Sequence, residues 1–269
     1  MRKHYMTLIM GWLACDARGP CSAYIVSDSR ISNGANHYDN SKKLFALKNT
    51  PDILGYCGET MFTNQWLSTI TNICDENRLL SPNMDYEERS KTLFNEIQKN
   101  YANYMLNNEF LRIYHVGRDN QFLFQANKYT WNGKIWTNES IETQYDNSKL
   151  LFVDGSGKKE YEQRFQKFKN GNNGGTSRNY FHCFCDIMKD MQDKHTGGAP
   201  QLTSLYRGKK FNGMYHGIIL NERRYYQGQN VDAYCDMSDV QWYNSNFEIC
   251  DSVTGLRKDG AMRQPISKK

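Results

Sequence analysis

Near the start of the chain a threonine directly follows a methionine, Met6-Thr7, and opens the apolar run Leu8-Ile9-Met10-Gly11-Trp12-Leu13. A second run, Ser22-Ala23-Tyr24-Ile25-Val26-Ser27, ends in Asp28-Ser29-Arg30, a carboxylate and a guanidinium two residues apart. Much later Leu150-Leu151-Phe152-Val153 passes through Asp154-Gly155-Ser156-Gly157 into a helix-like segment. A strand that turns through Gly-Ser-Gly into a helix exposes the serine and aims backbone N–H groups at whatever lies above. A threonine hydroxyl is a poor nucleophile until a base takes its proton. An N-terminal α-amine, with an ordinary pKa of about 7.7 to 8.0, is a suitable base on the same residue. Thr7 supplies both groups only if nothing precedes it, so the pattern suits an enzyme whose nucleophile is its own first residue. The plain alternative is a strand threonine and a structural ion pair at a strand end.

The elements that must hold these residues follow from periodicity. The two opening runs predict a strand over 6–13 and its return over 22–30, around the turn Asp16-Ala17-Arg18-Gly19-Pro20. After a polar loop over 31–41, strands are expected over 43–48 and 53–57, joined by Asn49-Thr50-Pro51-Asp52. Phe62, Trp66, Leu67, Ile70 and Ile73 recur at three and four and predict a helix over 59–80, which Ser81-Pro82 breaks. A second helix is expected from 85 to about 106, with Asp85, Glu87 and Glu88 in its first turn. Aromatic strands over 110–116 and 121–129 follow, then a polar excursion, the strand 150–153 and a helix over 158–168. A flexible surface loop over 170–177 precedes a helix over 178–194 whose glycine cap is Gly197-Gly198. Strands over 202–206, 214–220 and 224–226 complete the pattern, and 231–269 reads as a strand near 240–249 plus a polar tail. The order predicts an α+β (α/β) fold, a four-layer αββα sandwich of two packed antiparallel sheets with a helix pair outside each.

Composition narrows the function classes. The 269 residues carry 34 Lys+Arg against 29 Asp+Glu, a mild net charge of +5 without a basic run interleaved with aromatics, which argues against nucleic acid as partner. At 39% hydrophobic and 23% charged, with five prolines, the chain reads as one large globular domain. None of the eight cysteines forms a C-x-x-C pair, which argues against zinc and fits reduced, core-filling thiols in a cytoplasmic protein. No segment approaches the roughly 20 apolar residues of a membrane span. The start, Arg2-Lys3-His4 before the apolar run and Ala14-Cys15, imitates a lipoprotein signal, but the run is short and Trp12 stands where a small aliphatic is wanted.

Five stretches taken together resemble the proteasome β-subunit class of N-terminal-nucleophile hydrolases, over roughly residues 6–226. Met6-Thr7-Leu8-Ile9 is similar to the start of the bacterial ancestral proteasome relatives of the Anbu type, in which removal of Met leaves Thr as residue one. Ile25-Val26-Ser27-Asp28-Ser29-Arg30 resembles the family's second strand, Lys42-Lys43-Leu44-Phe45 its lysine-bearing strand, and Val153-Asp154-Gly155-Ser156-Gly157 its Gly-Ser-Gly helix start. Asp193-Lys194-His195-Thr196-Gly197-Gly198 resembles the family's Asp-x-x-Ser-Gly-Gly, with Thr for Ser. The resemblance implies a threonine peptidase or amidase without metal or organic cofactor. It also implies a peptide or protein substrate and assembly into a homo-oligomeric ring, stack or helix, with any regulator or unfoldase left unspecified.

On that reading Thr7 is the nucleophile and Lys43 the neighbouring ammonium that holds the amine neutral, with Lys42 as its competitor. Asp28 fixes the lysine, Arg30 locks the turn and the carboxylate, and Ser156, Asp193 and Thr196 hydrogen-bond the amine and its water. The oxyanion meets the backbone N–H of Gly58, and Tyr56 lines the specificity pocket, unless it is simply a buried strand tyrosine. Ser156 and Thr196 could equally cap helices, and His195 reads as a surface residue. Several features depart from the family, among them a tail after Val231 without a recognised counterpart. Met1 to Tyr5 precede Met6, so either Met6 is the true start or a leader is removed, and Tyr5-Met6 lacks the small residue that precedes the nucleophile in self-cleaving subunits. The first hairpin turn is about five residues longer than usual. The expected organisation is a leader over 1–5, a hydrolase domain over 6–230 and a C-terminal strand and tail over 231–269. The alternatives are a catalytically silent scaffold or binding subunit of the same fold, and an amidase acting on a small amide.

Overall fold

A computed structural model describes residues 7–33, 35–104, 109–171, 174–208, 212–234 and 237–261. The expected leader, Cys235 and the last eight residues lie outside this range. The chain runs through β1 (Leu8–Asp16), β2 (Gly19–Ser27), β3 (Ile31–Asn33), β4 (Asn36–Tyr38), β5 (Leu44–Ala46) and β6 (Asp52–Gly58) to α1 (Met61–Asp75) and α2 (Tyr86–Tyr101). It continues through β7 (Leu111–Arg118), β8 (Phe124–Trp131), β9 (Trp136–Ile141) and β10 (Lys149–Gly155) to α3 (Lys158–Lys169) and α4 (Ser177–Met188). The last elements are β11 (Gln201–Tyr206), β12 (Met214–Leu220), β13 (Arg223–Tyr226), β14 (Gln229–Asn230), β15 (Trp242–Asn244) and β16 (Ile249–Cys250).

Strand alternation divides most of the apolar side chains among three cores, with a smaller fourth cluster around Val231, Trp242 and Cys250. On β1, Leu8, Met10 and Trp12 face α3 and α4, where they meet Tyr161, Phe181, Phe184 and Ile187. Ile9 and Leu13 point the other way and meet Leu44, Ile53, Tyr114 and Val116 of the second sheet. Beyond that sheet Phe45, Leu54 and Tyr56 pack under Trp66, Leu67, Leu93 and Ile97 of α1 and α2. The sequence of cores is therefore helices, sheet, sheet, helices. β1 is buried on both faces, which is why it reads as a continuous apolar run rather than an alternating one.

The first sheet is ordered β10-β1-β2-β11-β12-β13-β14, with β15 on β12 and β16 on β15; the second is β5-β6-β7-β8-β9. Every pairing is antiparallel except β12 with β15, which run parallel in the register Gly217↔Trp242. The expectation of two purely antiparallel sheets is corrected at this point. Parallel pairing needs a long connection, and residues 221–241 supply it. The strand expected near 240–249 is present as β15 and, at its end, β16, and its side chains are part of the core. Trp242, Tyr243, Phe247 and Cys250 are buried, Tyr243 and Phe247 stacking at 4.6 Å beside Trp12 and Tyr24.

Other differences are local. The polar stretch after Trp131 contains β9, and the loop after Arg30 contains the β3–β4 hairpin. α1 stops at Asp75, five residues before the expected end; its carboxylate and carbonyl bind Lys48 N and Asn49, and Asn77 adopts φ 55°. α2 begins as expected, with the Asp85 carboxylate accepting from Glu88 N at 3.0 Å. α4 ends at Met188, so Asp193 to Gly198 is a loop rather than a helix end. Gly198 earns its place differently, with φ +72° and Asp39 O 2.5 Å from where a Cβ would stand.

Candidate functional site

The two sheets bring the ends of β1, β2, β6 and β10 to one edge of the sandwich, together with the residues just before β5. Pairing in register places Leu8 opposite Gly155 and Ile9 opposite Ser27, so Thr7 lies between Ser156 on one side and Asp28 on the other. Lys43, one residue before β5, reaches across from the second sheet. Its Nζ donates to Thr7 Oγ1 and to Asp28 Oδ1, the latter at 2.8 Å, and Thr7 Oγ1 donates to Asp28 Oδ1. Thr7 and Asp28 are fully buried and Lys43 is 1% exposed.

The Asp28 carboxylate is held from every side. Oδ1 also accepts from Leu8 N at 3.1 Å, and Oδ2 from Arg30 N at 3.3 Å and Gly197 N at 3.0 Å. A buried charge without such donors would be expensive, so this cage is what allows the carboxylate to sit here. Burial pushes the Lys43 ammonium below the ordinary lysine range, and the adjacent Asp28 charge opposes that shift. Lys42, the competitor, faces elsewhere. It lies over the rings of Phe45 and Tyr215 at 4.7 and 4.9 Å, and burial pushes its ammonium down to about 8.

A second cluster surrounds the Thr7 backbone. Thr7 N donates to Ser156 Oγ at 3.4 Å, and the Thr7 carbonyl accepts from Gly157 N at 3.2 Å at the head of α3. Ser156 Oγ donates to Asp193 Oδ2, which also accepts from Thr196 Oγ1 at 2.7 Å. Gly155 has to be glycine, because its φ is +97° and a Cβ would stand 2.1 Å from the Thr7 carbonyl oxygen. Ser156, Asp193 and Thr196 are thus gathered at the Thr7 nitrogen. His195 is half-buried, with its backbone N–H on Asp193 Oδ1 at 3.2 Å.

Arg30 does not use its guanidinium on Asp28, as the reading of a locked carboxylate expects. Nε and Nη2 pair with Asp39 at 2.6 and 2.8 Å, and Nη1 donates to the Lys194 and Thr196 carbonyls at 3.2 and 3.5 Å. Only its backbone N–H touches Asp28, so Arg30 clamps the 193–198 loop instead. Tyr56 is 1% exposed and packs in the core under α1, with its hydroxyl accepting from Asn64 Nδ2 at 3.5 Å. Alternation explains this placement, since Cys57, not Tyr56, faces the space between the sheets.

Gly58 ends β6 at φ +104°, where a Cβ would be 2.3 Å from Phe110 O. The next amide, Glu59 N, donates to Phe110 O at 2.9 Å. Residues along an antiparallel ladder alternate in facing their partner, so the Gly58 N–H is turned away from β7, toward the side on which β5 and Lys43 stand. The helix that follows cannot offer its own N–H groups. The Glu59 carboxylate takes those of Met61, Phe62 and Thr63 at 2.8, 3.0 and 3.3 Å.

Three contributors escape the sequence. Gln201, 2% exposed, donates to the Asp28 and Ser41 carbonyls at 3.0 and 2.8 Å and accepts from Lys43 N at 3.0 Å, tying the two charged residues to one side chain. Asp39 is the partner of Arg30. Asp154 binds Arg112 and Tyr114 across the gap between the sheets. Only Asp154 left a signal, as an acid at the end of an apolar strand beside Gly155-Ser156. Among the described residues no group of three or more His, Cys, Asp or Glu side chains is arranged to hold a metal ion, and no helix is long and apolar enough to cross a membrane. No protein-family model and no curated protein sequence matches the chain.

Proposed function

We propose that the chain is a threonine hydrolase, a peptidase or amidase of the N-terminal-nucleophile, proteasome-like kind, which works once Thr7 is the first residue. The observation that carries this reading is the meeting of Thr7 Oγ1, Lys43 Nζ and Asp28 Oδ1 in one buried triangle, with Ser156 at the Thr7 nitrogen. A free Thr7 amine takes the hydroxyl proton and Oγ1 attacks the scissile carbonyl. The Lys43 ammonium, donating to Oγ1, stabilises the developing alkoxide, and the Gly58 N–H meets the oxyanion. The protonated amine then gives its proton to the leaving nitrogen, and water, activated by the same amine, hydrolyses the acyl-Thr7 ester. Asp28 holds Lys43 in place, and the Ser156–Asp193–Thr196 cluster holds the amine. No step calls for a metal or an organic cofactor. Peptide or protein substrates and a homo-oligomeric ring, stack or helix belong to this reading through the family resemblance, and a cytoplasmic setting through the cysteine usage.

A silent scaffold subunit is the second reading. It is favoured by one observation, that Thr7 has no exposed surface in a chain with residues ahead of it. The deciding experiment releases the chain from a cleavable fusion so that Thr7 is residue one, and compares it with Thr7→Ala on fluorogenic peptides and simple amides. Turnover by the parent that Thr7→Ala abolishes supports the hydrolase, and the preferred substrate separates peptidase from amidase. Equal turnover, or none from either, supports the scaffold.

A further inference from the structure

Between the two sheets, on the same edge as Thr7, stands a charged cluster that the mechanism above does not use. The Asp154 side chain points from β10 into the inter-sheet space, opposite Ile9. Arg112 Nη1 on β7 donates to both of its oxygens, at 2.7 and 2.6 Å. Tyr114 OH on the same strand donates to Oδ2 at 2.7 Å, and Cys57 Sγ on β6 donates to Oδ2 at 3.3 Å. The carboxylate also accepts its own neighbour, Gly155 N, at 2.9 Å. Burial raises the Asp154 carboxyl, but the hydrogen bonds from Arg112 and Tyr114 and the Arg112 charge outweigh it and hold it below its ordinary value.

The sequence neighbours of this cluster give it a meaning. Asp154 immediately precedes Gly155 and Ser156, the turn that touches the Thr7 nitrogen and carbonyl. Cys57 immediately precedes Gly58, whose N–H is the oxyanion donor, and Arg112 and Tyr114 stand opposite Cys57 and Gly55 in the ladder. One carboxylate thus connects the turn that seats the nucleophile to the strand that carries the oxyanion donor, and those belong to different sheets. We infer that Asp154, clasped by Arg112 and Tyr114, is a positioning residue that sets the distance between Thr7 and Gly58. The inference rests on the hydrolase reading for its kinetic consequence but not for its structural one. A misplacement of about 1 Å between reacting groups costs on the order of a hundredfold in rate. The clasp is built to prevent such a shift, because charge-assisted hydrogen bonds from Arg112 Nη1 hold both carboxylate oxygens and Tyr114 on the same strand holds one of them.

The test uses Asp154→Asn, Arg112→Lys and Tyr114→Phe in the chain that begins at Thr7, each with active sites counted by a threonine-directed β-lactone. Per titrated site, kcat is expected to fall about tenfold to a hundredfold in Asp154→Asn and less in Tyr114→Phe, with KM within about twofold. Arg112→Lys, which keeps the charge but has a shorter reach to the carboxylate, should fall between them. A merely structural role predicts fewer titratable sites with unchanged kcat at each, and that result overturns the proposal. Amide hydrogen exchange, measured in Asp154→Asn on both the parent and Thr7→Ala backgrounds, reads the clasp without any activity. Faster exchange at both 155–157 and 57–59 supports the coupling even if Thr7 turns over nothing. Faster exchange at 155–157 alone overturns it.

Discussion

Replacing Lys43 by methionine removes the ammonium while keeping an unbranched side chain one atom shorter. The structure sets two separate costs. Oγ1 of Thr7 loses its only charged donor in the buried triangle, and removal of one donor aimed at a developing oxyanion costs about 2.7 to 4 kcal/mol of activation free energy. The expected loss in kcat is therefore roughly a hundredfold to a thousandfold. The second cost falls on stability. Breaking a buried ion pair by deleting one partner costs about 3 to 5 kcal/mol. Here the Asp28 carboxylate keeps its bonds from Thr7 Oγ1, Leu8 N, Arg30 N and Gly197 N, which places the loss near the low end, about 3 kcal/mol. For a domain of this size that lowers Tm by about 6 to 12 °C. The assay is kcat per β-lactone-titrated site in the chain that begins at Thr7, with calorimetry of the same preparations. Lys43→Met retaining kcat within about threefold, with Tm lowered as stated, would refute the catalytic part and leave Lys43 as a purely structural counter-ion.

Two further outcomes follow from side chains elsewhere. His216 is fully buried, its Nε2 2.6 Å from Ser204 Oγ, and burial pushes its pKa down to about 4. The unfolded chain takes up that proton through about pH 6.5, so stability rises with pH between about 4 and 6.5 and is lost as pH falls through that window. Between pH 7.5 and 4.5 the loss from this one residue is on the order of 2 to 3 kcal/mol. Denaturant titrations of parent and His216→Gln at the two pH values measure it, and an identical pH-dependence in both would exclude the assignment. Gly155→Ala should cost about 2 to 4 kcal/mol, since a left-handed backbone and a clash with the Thr7 carbonyl oxygen act together. An unchanged denaturation midpoint would show that the Thr7 seat yields freely.

How much of this was legible in the sequence depended on whether the signal was local. The paired runs at β1 and β2 and the helical stripes of α1 and α2 were legible because each buries a face set by its own period. β9 was not, because its outer residues Asn138, Glu139 and Ser140 are exposed at a sheet edge and only its ends carry apolar side chains. A strand near 240–249 is legible from its apolar residues, but its parallel pairing with β12 is not, because Trp242 and Tyr243 find their partners across a long connection. The site divides in the same way. Thr7, Asp28, Lys43, Ser156, Asp193 and Thr196 are legible because they lie in the motifs that carry the family resemblance and are of the types the chemistry requires, and all six meet. Arg30 stands at the expected place, but its guanidinium pairs with Asp39, which follows the β3–β4 hairpin in a stretch that reads as loop. Tyr56 follows the plainer of its two readings, a buried strand tyrosine, because alternation turns Cys57 and not Tyr56 toward the space between the sheets. The Asp154 clasp joins two sheets through residues about forty and a hundred positions apart in the chain, a relation that no window of sequence contains.

The most direct test of the central claim is where a mechanism-based probe binds. An epoxyketone bonds the hydroxyl and the amine of one and the same residue, so it reports a threonine only when that threonine is the first residue. Intact mass, N-terminal sequencing and peptide mapping after treatment should find a chain that starts at Thr7 and carries one adduct on Thr7, absent in Thr7→Ala. A chain released to begin at Thr7 that stays unmodified, or an adduct that maps to another residue and persists in Thr7→Ala, would contradict the account.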